Sequence, residues 1–297
     1  MVTPYREKPL LPPLLALIIG VTASSTASVF IRLAQGTMNS LAVAAWRLIL
    51  ASLMLAPFAL ATRWDEWRTL KRWEWSLLLA SGVILAVHFY TWITSLALTS
   101  VAASVVLVST TPLFVGIISH FFFQERITRW VLLGMGVALA GSTMIGLSDL
   151  GEGTHRMLGD VLALAGALAA AGYLLIGRQL RNRLSLLGYV FPVYGTAAVA
   201  LLLLALLMRT SLAVCPLNNW LWLFLMALFP QIVGHSSLNW ALGHLPATYV
   251  ALVLLAEPIG STLLAWLILE EVPVLTVILG GGLILAGLWV ANRKLHR

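Results

Sequence analysis

Two stretches, TPLFVGIISHFFFQE (Thr111–Glu125) and EPIGSTLLAWLILEE (Glu257–Glu271), decide how this chain folds. The shift of 146 residues that lays Pro112 on Pro258 and Glu125 on Glu271 also superposes Gly134 on Gly280, Gly136 on Gly282, Ala140 on Ala286, Gly141 on Gly287 and Arg32 on Arg178. Glycine and proline coincidences at one offset mark an internal repeat. The chain therefore reads as two copies of one unit, residues 1–147 and 148–297.

Working outward, 60% of the residues are apolar and only 10% are charged, against roughly a quarter charged in soluble domains. Runs of about 20 apolar residues are long enough to cross a bilayer as helices. Such runs fall near 13–34, 40–61, 74–96, 101–123, 129–147, 158–178, 186–208, 218–241, 246–269 and 273–291. The expected fold is an all-α integral membrane protein of ten transmembrane helices. Five spans per copy is an odd number, so the second five-helix repeat enters the membrane inverted relative to the first. Inverted repeats supply the two packings that an alternating-access transporter needs.

Of the 18 Lys and Arg residues, 14 fall in alternate links that lie on one side if the N-terminus is inside. Only Arg32, Arg47, Arg156 and Arg209 fall elsewhere. By the positive-inside bias, both termini are expected in the cytoplasm. The net charge of +7 thus carries topology, and no nucleic-acid partner is implied. Residues 1–28 imitate a secretory signal, but Pro12, Pro13 and continued apolarity through Ile31 favour an uncleaved first span. Cys215 has no partner for an intrachain disulfide. In the link from Ala61 to Trp75, four Trp (64, 67, 73, 75) interleave with basic residues, which suits either a segment at the headgroup interface or a loop with aromatic anchors.

Several stretches resemble the drug/metabolite transporter superfamily, specifically paired EamA-type domains. They are Trp46-Arg47-Leu48 with Pro57, Thr111-Pro112-Leu113-Phe114 to Phe123-Gln124-Glu125-Arg126, and Ala256-Glu257-Pro258-Ile259 to Leu269-Glu270-Glu271. The resemblance covers nearly the whole chain and is greatest to bacterial exporters of amino acids, including the aromatic amino-acid exporter branch (YddG type). It implies a central cavity formed by spans 1 to 4 and 6 to 9, with spans 5 and 10 outside. The glycines of those two outer spans read as close helix packing. The function implied is export of aromatic or other neutral amino acids across the bacterial-type inner membrane, with other small metabolites or cationic drugs as the alternative. A monomer or weak homodimer in the lipid bilayer is expected.

Polar side chains at membrane depth locate the cavity, because hydrocarbon tolerates them only against protein or water. Gln231, His235 and Asn239 recur every four residues in span 8. In span 3, His88, Trp92 and Ser95 follow an i, i+4, i+7 pattern, and the two histidines sit one residue off the repeat shift. The two stripes are expected to face each other. Each histidine either contacts substrate or bonds a neighbouring helix. Glu257, next to Pro258 and four residues before Ser261, either binds a substrate ammonium, carries a proton, or belongs to the Glu-Pro pattern of the fold. Arg47 either snorkels outward or holds a substrate carboxylate or an acidic partner; the resemblance, with an arginine here across many substrate classes, leans to a gating or structural pair. Thr22, Ser25 and Thr26 add small hydroxyls in span 1, which serve substrate or close helix approach. Pro112 and Pro258, at repeat-related midplane positions, are candidate hinges.

Other chemistries lack their residues. No cluster of Cys, His or carboxylates is spaced for a metal. The glycines have no strand-loop-helix setting for phosphate, there is no Walker motif, and no cofactor is expected. An intramembrane enzyme would need a catalytic set that the spans do not contain.

Overall fold

The computed structural model describes residues 12–123, 128–149, 154–214 and 216–292. Cys215, the Gln124-Glu125-Arg126 stretch and the terminal basic residues Arg6, Lys8, Arg293, Lys294 and Arg297 lie outside them. Among the described residues the chain is all helical, with no strand. The elements are α1 (Pro13–Ser24), α2 (Ala27–Gln35), α3 (Ser40–Thr62), α4 (Trp64–Arg68), α5 (Arg72–Leu98), α6 (Val101–Val108), α7 (Thr111–Phe123) and α8 (Arg129–Asp149). They continue with α9 (Thr154–Leu180), α10 (Leu186–Leu207), α11 (Asn219–Met226), a π-helical segment (Ala227–His235), α12 (Ser236–Leu242), α13 (Ala247–Val253), a 3₁₀ turn (Leu254–Ala256), α14 (Glu257–Leu269) and α15 (Leu275–Asn292).

Eight of the resulting rods are long and apolar enough to cross a membrane, from Pro13–Gln35 to Ala247–Leu269. Two shorter apolar stretches, Arg129–Gly141 and Leu275–Gly287, stand where the fifth and tenth spans are expected. Exposed Leu132, Leu133, Leu139, Ile278, Leu279 and Leu283 give α8 and α15 apolar outer faces. So much exposed apolar surface suits lipid rather than water.

Helix starts follow local chemistry. Asn39 caps α3 by accepting from the Leu41 N–H at 2.8 Å, and Ser185 caps α10 by accepting from Gly188 at 3.0 Å. Each satisfies a donor that the first turn leaves open. The short element α4 is pinned by Trp67, whose indole N–H donates to the Gly188 carbonyl at 2.9 Å and whose ring stacks on Phe191. Trp67 is thus an inward anchor, while Trp64 and Trp73 stay exposed.

Glycine sets the α8–α15 crossing. A Cβ on Gly141 would strike the carbonyl of Gly280, and one on Gly287 would strike that of Gly134. These two contacts map onto each other under the 146-residue shift; close packing holds there but not at Gly136, Gly281 or Gly282, where a Cβ would meet nothing within 4 Å.

Three spans are broken. α1 gives way to α2 at Ser25–Thr26, α6 to α7 at Ser109–Thr110, and α13 to α14 at the 3₁₀ turn. Pro112 and Pro258 each fall in the first turn of the helix after a break, where a missing N–H is cheapest. The donor Pro112 lacks would have served the Val108 carbonyl, and the Thr111 hydroxyl donates there instead at 2.8 Å. Just before Pro258 the Glu257 N–H bonds the Leu254 carbonyl in the tighter turn.

Candidate functional site

The breaks border a central cavity of about 60 Å³, lined by residues that include Ser24, His88, Trp92, Ser109, Thr111, Tyr173, His235, Leu238 and Glu257. α5 supplies His88 and Trp92, whose rings stack at 5.8 Å. His235, the last residue of the π-helical segment, places its ring 6.3 Å from that of His88. The two polar stripes therefore meet at their histidines. His88 bonds the Gly166 carbonyl through Nδ1 at 2.9 Å, which fixes its ring against α9.

Glu257 brings a half-buried carboxylate to the same cavity. It is held by bonds that stitch α14 to the α1–α2 break: Ser25 Oγ donates to the Glu257 carbonyl at 3.3 Å, and Ser261 Oγ donates to the Ser25 carbonyl at 3.1 Å. Gly260 lies against Ser25 so closely that a Cβ would come within 2.7 Å of its side chain. Ser25 and Ser261 thus support Glu257 rather than line the cavity. Thr26 turns back onto the Ala23 carbonyl.

The remaining expected residues sit one layer out. Ser95 donates to the Trp92 carbonyl at 2.7 Å and lies 2.6 Å from Ser104, bonding α5 to α6. Asn239 donates to the Tyr173 hydroxyl and to the His235 carbonyl. Gln231 accepts from Arg47 Nε at 2.7 Å. Arg47 is fully buried, and its guanidinium lies 4.1 Å over the Phe89 ring. No ion pair to Arg47 occurs among the described residues, and neither Nη1 nor Nη2 finds an acceptor there. Arg47 does not snorkel outward, and its acidic neighbour Glu257 acts on its charge without forming a contact ion pair among the described residues. Charges at this depth almost always pair.

Sequence reading missed the tyrosines. Tyr173 lines the cavity and stacks on Tyr189, whose hydroxyl lies 2.8 Å from Ser81 Oγ. Tyr194 lies 3.3 Å from Ser236 Oγ. Together they carry polar contacts through the bundle between α5, α9, α10 and α12. Hydropathy scores a tyrosine as part of an apolar run, although its hydroxyl needs a partner once buried. Phe89, between the histidines and Arg47, carried no signal beyond its helical spacing.

No group of three or more His, Cys, Asp or Glu side chains is placed to hold a metal among the described residues. The apolar, aromatic lining with a few convergent polar groups is that of a small-molecule site, while the volume of about 60 Å³ is well below the roughly 300–1,000 Å³ of an open one.

The profile of the EamA-like transporter family matches residues 11–147 and 157–293. The uncharacterized transporter YdfC of Bacillus subtilis is 25% identical over 95% of this chain and 90% of its own length. The pseudopaline exporter CntI of Pseudomonas aeruginosa is 28% identical over 73% of this chain and 75% of its own. A probable terminal-alkyne amino-acid exporter of Streptantibioticus cattleyicolor is 26% identical over 63% of each. A crystal structure with 20% sequence identity superposes at a TM-score of 0.71, covering 94% of this chain and 96% of that one, which is a likeness of fold.

Proposed function

The chain belongs to the EamA-like transporter family, and on that premise we propose that it is a secondary carrier exporting aromatic or other neutral amino acids across the inner membrane. The proposal includes ten spans, an inverted relation between residues 1–147 and 148–297, and both termini in the cytoplasm. Transport proceeds by alternating access around the central cavity, with the breaks at Pro112 and Pro258 as hinges.

One observation carries the reading. His88, Trp92, Tyr173, His235 and Glu257 converge where two repeat-related spans are broken. Aromatic faces suit a flat apolar side chain, and the Glu257 carboxylate suits an ammonium group. The same carboxylate and aromatic walls favour a second reading, export of cationic drugs. The amino-acid exporter and the pseudopaline exporter among the relatives support outward transport of small polar metabolites.

The test is uptake of labelled amino acids, nucleosides and cationic drugs into proteoliposomes holding the purified protein. Saturable transport of aromatic amino acids is expected. Saturable transport of cations alone would replace the first reading with the second. Conductance without saturation would remove the carrier mechanism altogether. Replacing Glu257 by Gln is expected to weaken transport of ammonium-bearing cargo; unchanged flux and pH dependence would exclude this carboxylate from binding and proton coupling.

A further inference from the structure

Among the described residues, three buried donors around Arg47 have nothing to bond. Arg47 uses Nε on Gln231 Oε1, which leaves the end-on edge of the guanidinium, Nη1 and Nη2, without an acceptor. The amide nitrogen Nε2 of Gln231 is unpartnered in the same way. Both residues are fully buried. Leaving such groups unmade costs more than forming them gains, so an absent acceptor is implied. The neighbour that does touch the guanidinium, Phe89, offers a ring face at 4.1 Å and no lone pair.

The position of this group relates it to the cavity. On one side, Phe89 packs against His88 at 4.8 Å and His235 at 5.2 Å, and both histidines line the cavity. On the other side, Trp46 donates to the Leu212 carbonyl at 2.8 Å and meets Trp220 edge-on at 4.9 Å. Arg47 therefore lies between the central cavity and a tryptophan-covered end of the bundle, with a single ring between it and the histidines. Gln231 sits in the π-helical segment, a winding that recurs at functional sites.

We propose that Arg47 and Gln231 form the subsite that receives the carboxylate of the cargo, reached when the Phe89 ring moves aside. The inference rests on the carrier reading above and adds to it the acid group that every cargo must carry. A carboxylate supplies a charge in direct contact and two coplanar acceptors for Nη1 and Nη2, a match that water or an amide cannot make. Gln231 then has two roles: its oxygen holds the guanidinium in plane through Nε, and its nitrogen is a further donor to the acid. Glu257 remains free to take the ammonium of the same molecule.

The test compares counterflow of phenylalanine with that of phenylethylamine, which lacks only the carboxylate, in wild type, Arg47→Gln and Arg47→Lys. Wild type is expected to prefer phenylalanine. Arg47→Gln should weaken the apparent affinity for phenylalanine by about 10- to 100-fold, the loss expected for charged hydrogen bonds, while carrying phenylethylamine as well as wild type does. That retained flux shows the variant is folded. Arg47→Lys should recover part of the loss. Equal wild-type handling of the two compounds overturns the subsite, as does an Arg47→Gln variant that lowers both fluxes alike or neither. A parallel series of non-amino acids and their amides separates the two readings. Wild type that carries no amino acid but carries other acids with the same Arg47 dependence overturns the amino-acid reading and keeps the subsite. Wild type that carries only carboxylate-free compounds overturns the subsite and keeps the carrier.

Discussion

The corner built on Arg32 and the corner built on Arg178 stand at opposite ends of α5, a helix of 27 residues and so roughly 40 Å long. In both, an arginine donates Nη1 to a leucine carbonyl at 2.7 Å: Arg32 to Leu96, Arg178 to Leu242. Donors and acceptors alike are 146 residues apart, so this bond is a property of the repeated unit. Their surroundings differ. At the first corner Glu271 accepts from Arg32 Nε at 3.1 Å, from Arg32 Nη2 at 2.6 Å and from the Val101 N–H at 3.1 Å. A cavity of about 440 Å³, lined in part by Arg32, Thr99, Arg156 and Glu271, opens beside it. At the second corner Arg181 bonds the carbonyls of Asn239 and Leu184, Arg183 pairs with Glu74, and Trp67 ties α4 to α10. Among the described residues the second corner thus draws on two further arginines and a tryptophan, whereas the bonds of the first centre on the Arg32–Glu271 pair beside open space. Alternating access between repeated halves is the exchange of such an inequality.

The largest expected effect comes from loosening the tied end. Replacing Trp67, which is 7% exposed, by Ala removes its bond to Gly188 and its stacking on Phe191. A loss of about 3 kcal/mol is expected, as for other buried aromatic truncations. Thermal unfolding in detergent measures it, and an unchanged midpoint would mean that this end is not held by its visible contacts. Next in size is Glu271→Gln, which keeps the shape and removes the charge. Because the pair is more than a quarter exposed, the expected loss is only about 1 kcal/mol. Its clearer readout is access: a cysteine placed at Ala97, in a Cys215→Ser background, should be labelled faster by a water-soluble maleimide. Equal labelling rates would remove Glu271 as the residue that closes this end.

Both corners were partly legible before any coordinates. Arg32, Arg178, Glu125 and Glu271 stand out because charges are rare in this chain and because they share the offset that aligns the glycines and prolines. The glycine crossing was legible for a similar reason, since few residues allow a backbone that close. The break at Ser25–Thr26 was not, because hydroxyl side chains bond freed carbonyls and cost hydropathy little, whereas Pro112 signalled the one at Ser109–Thr110. The site was legible in His88, Trp92, His235 and Glu257, which are unusual at membrane depth. Ser25, Ser95, Asn239 and Ser261 are equally polar but spend bonds within the bundle, and Gln231 spends its oxygen on Arg47. Helical spacing tells which residues share a face, not how far from the axis each side chain ends.

The smallest effect compares the two arginines directly. Lysine keeps the charge but cannot reproduce the planar fork. Arg32 uses three donors on two acceptors, the Glu271 carboxylate and the Leu96 carbonyl, and one ammonium cannot serve both in that geometry. Among the described residues Arg178 is seen to use one donor, on Leu242, which an ammonium can replace. Arg32→Lys should therefore lower the unfolding midpoint more than Arg178→Lys does, by an amount corresponding to roughly 0.5 kcal/mol, the scale of a partly exposed ion pair. Equal losses would mean that Arg178 also works against an anion of similar weight. The repeat names Glu125 for that role, and Glu125→Gln would then have to cost as much as Glu271→Gln.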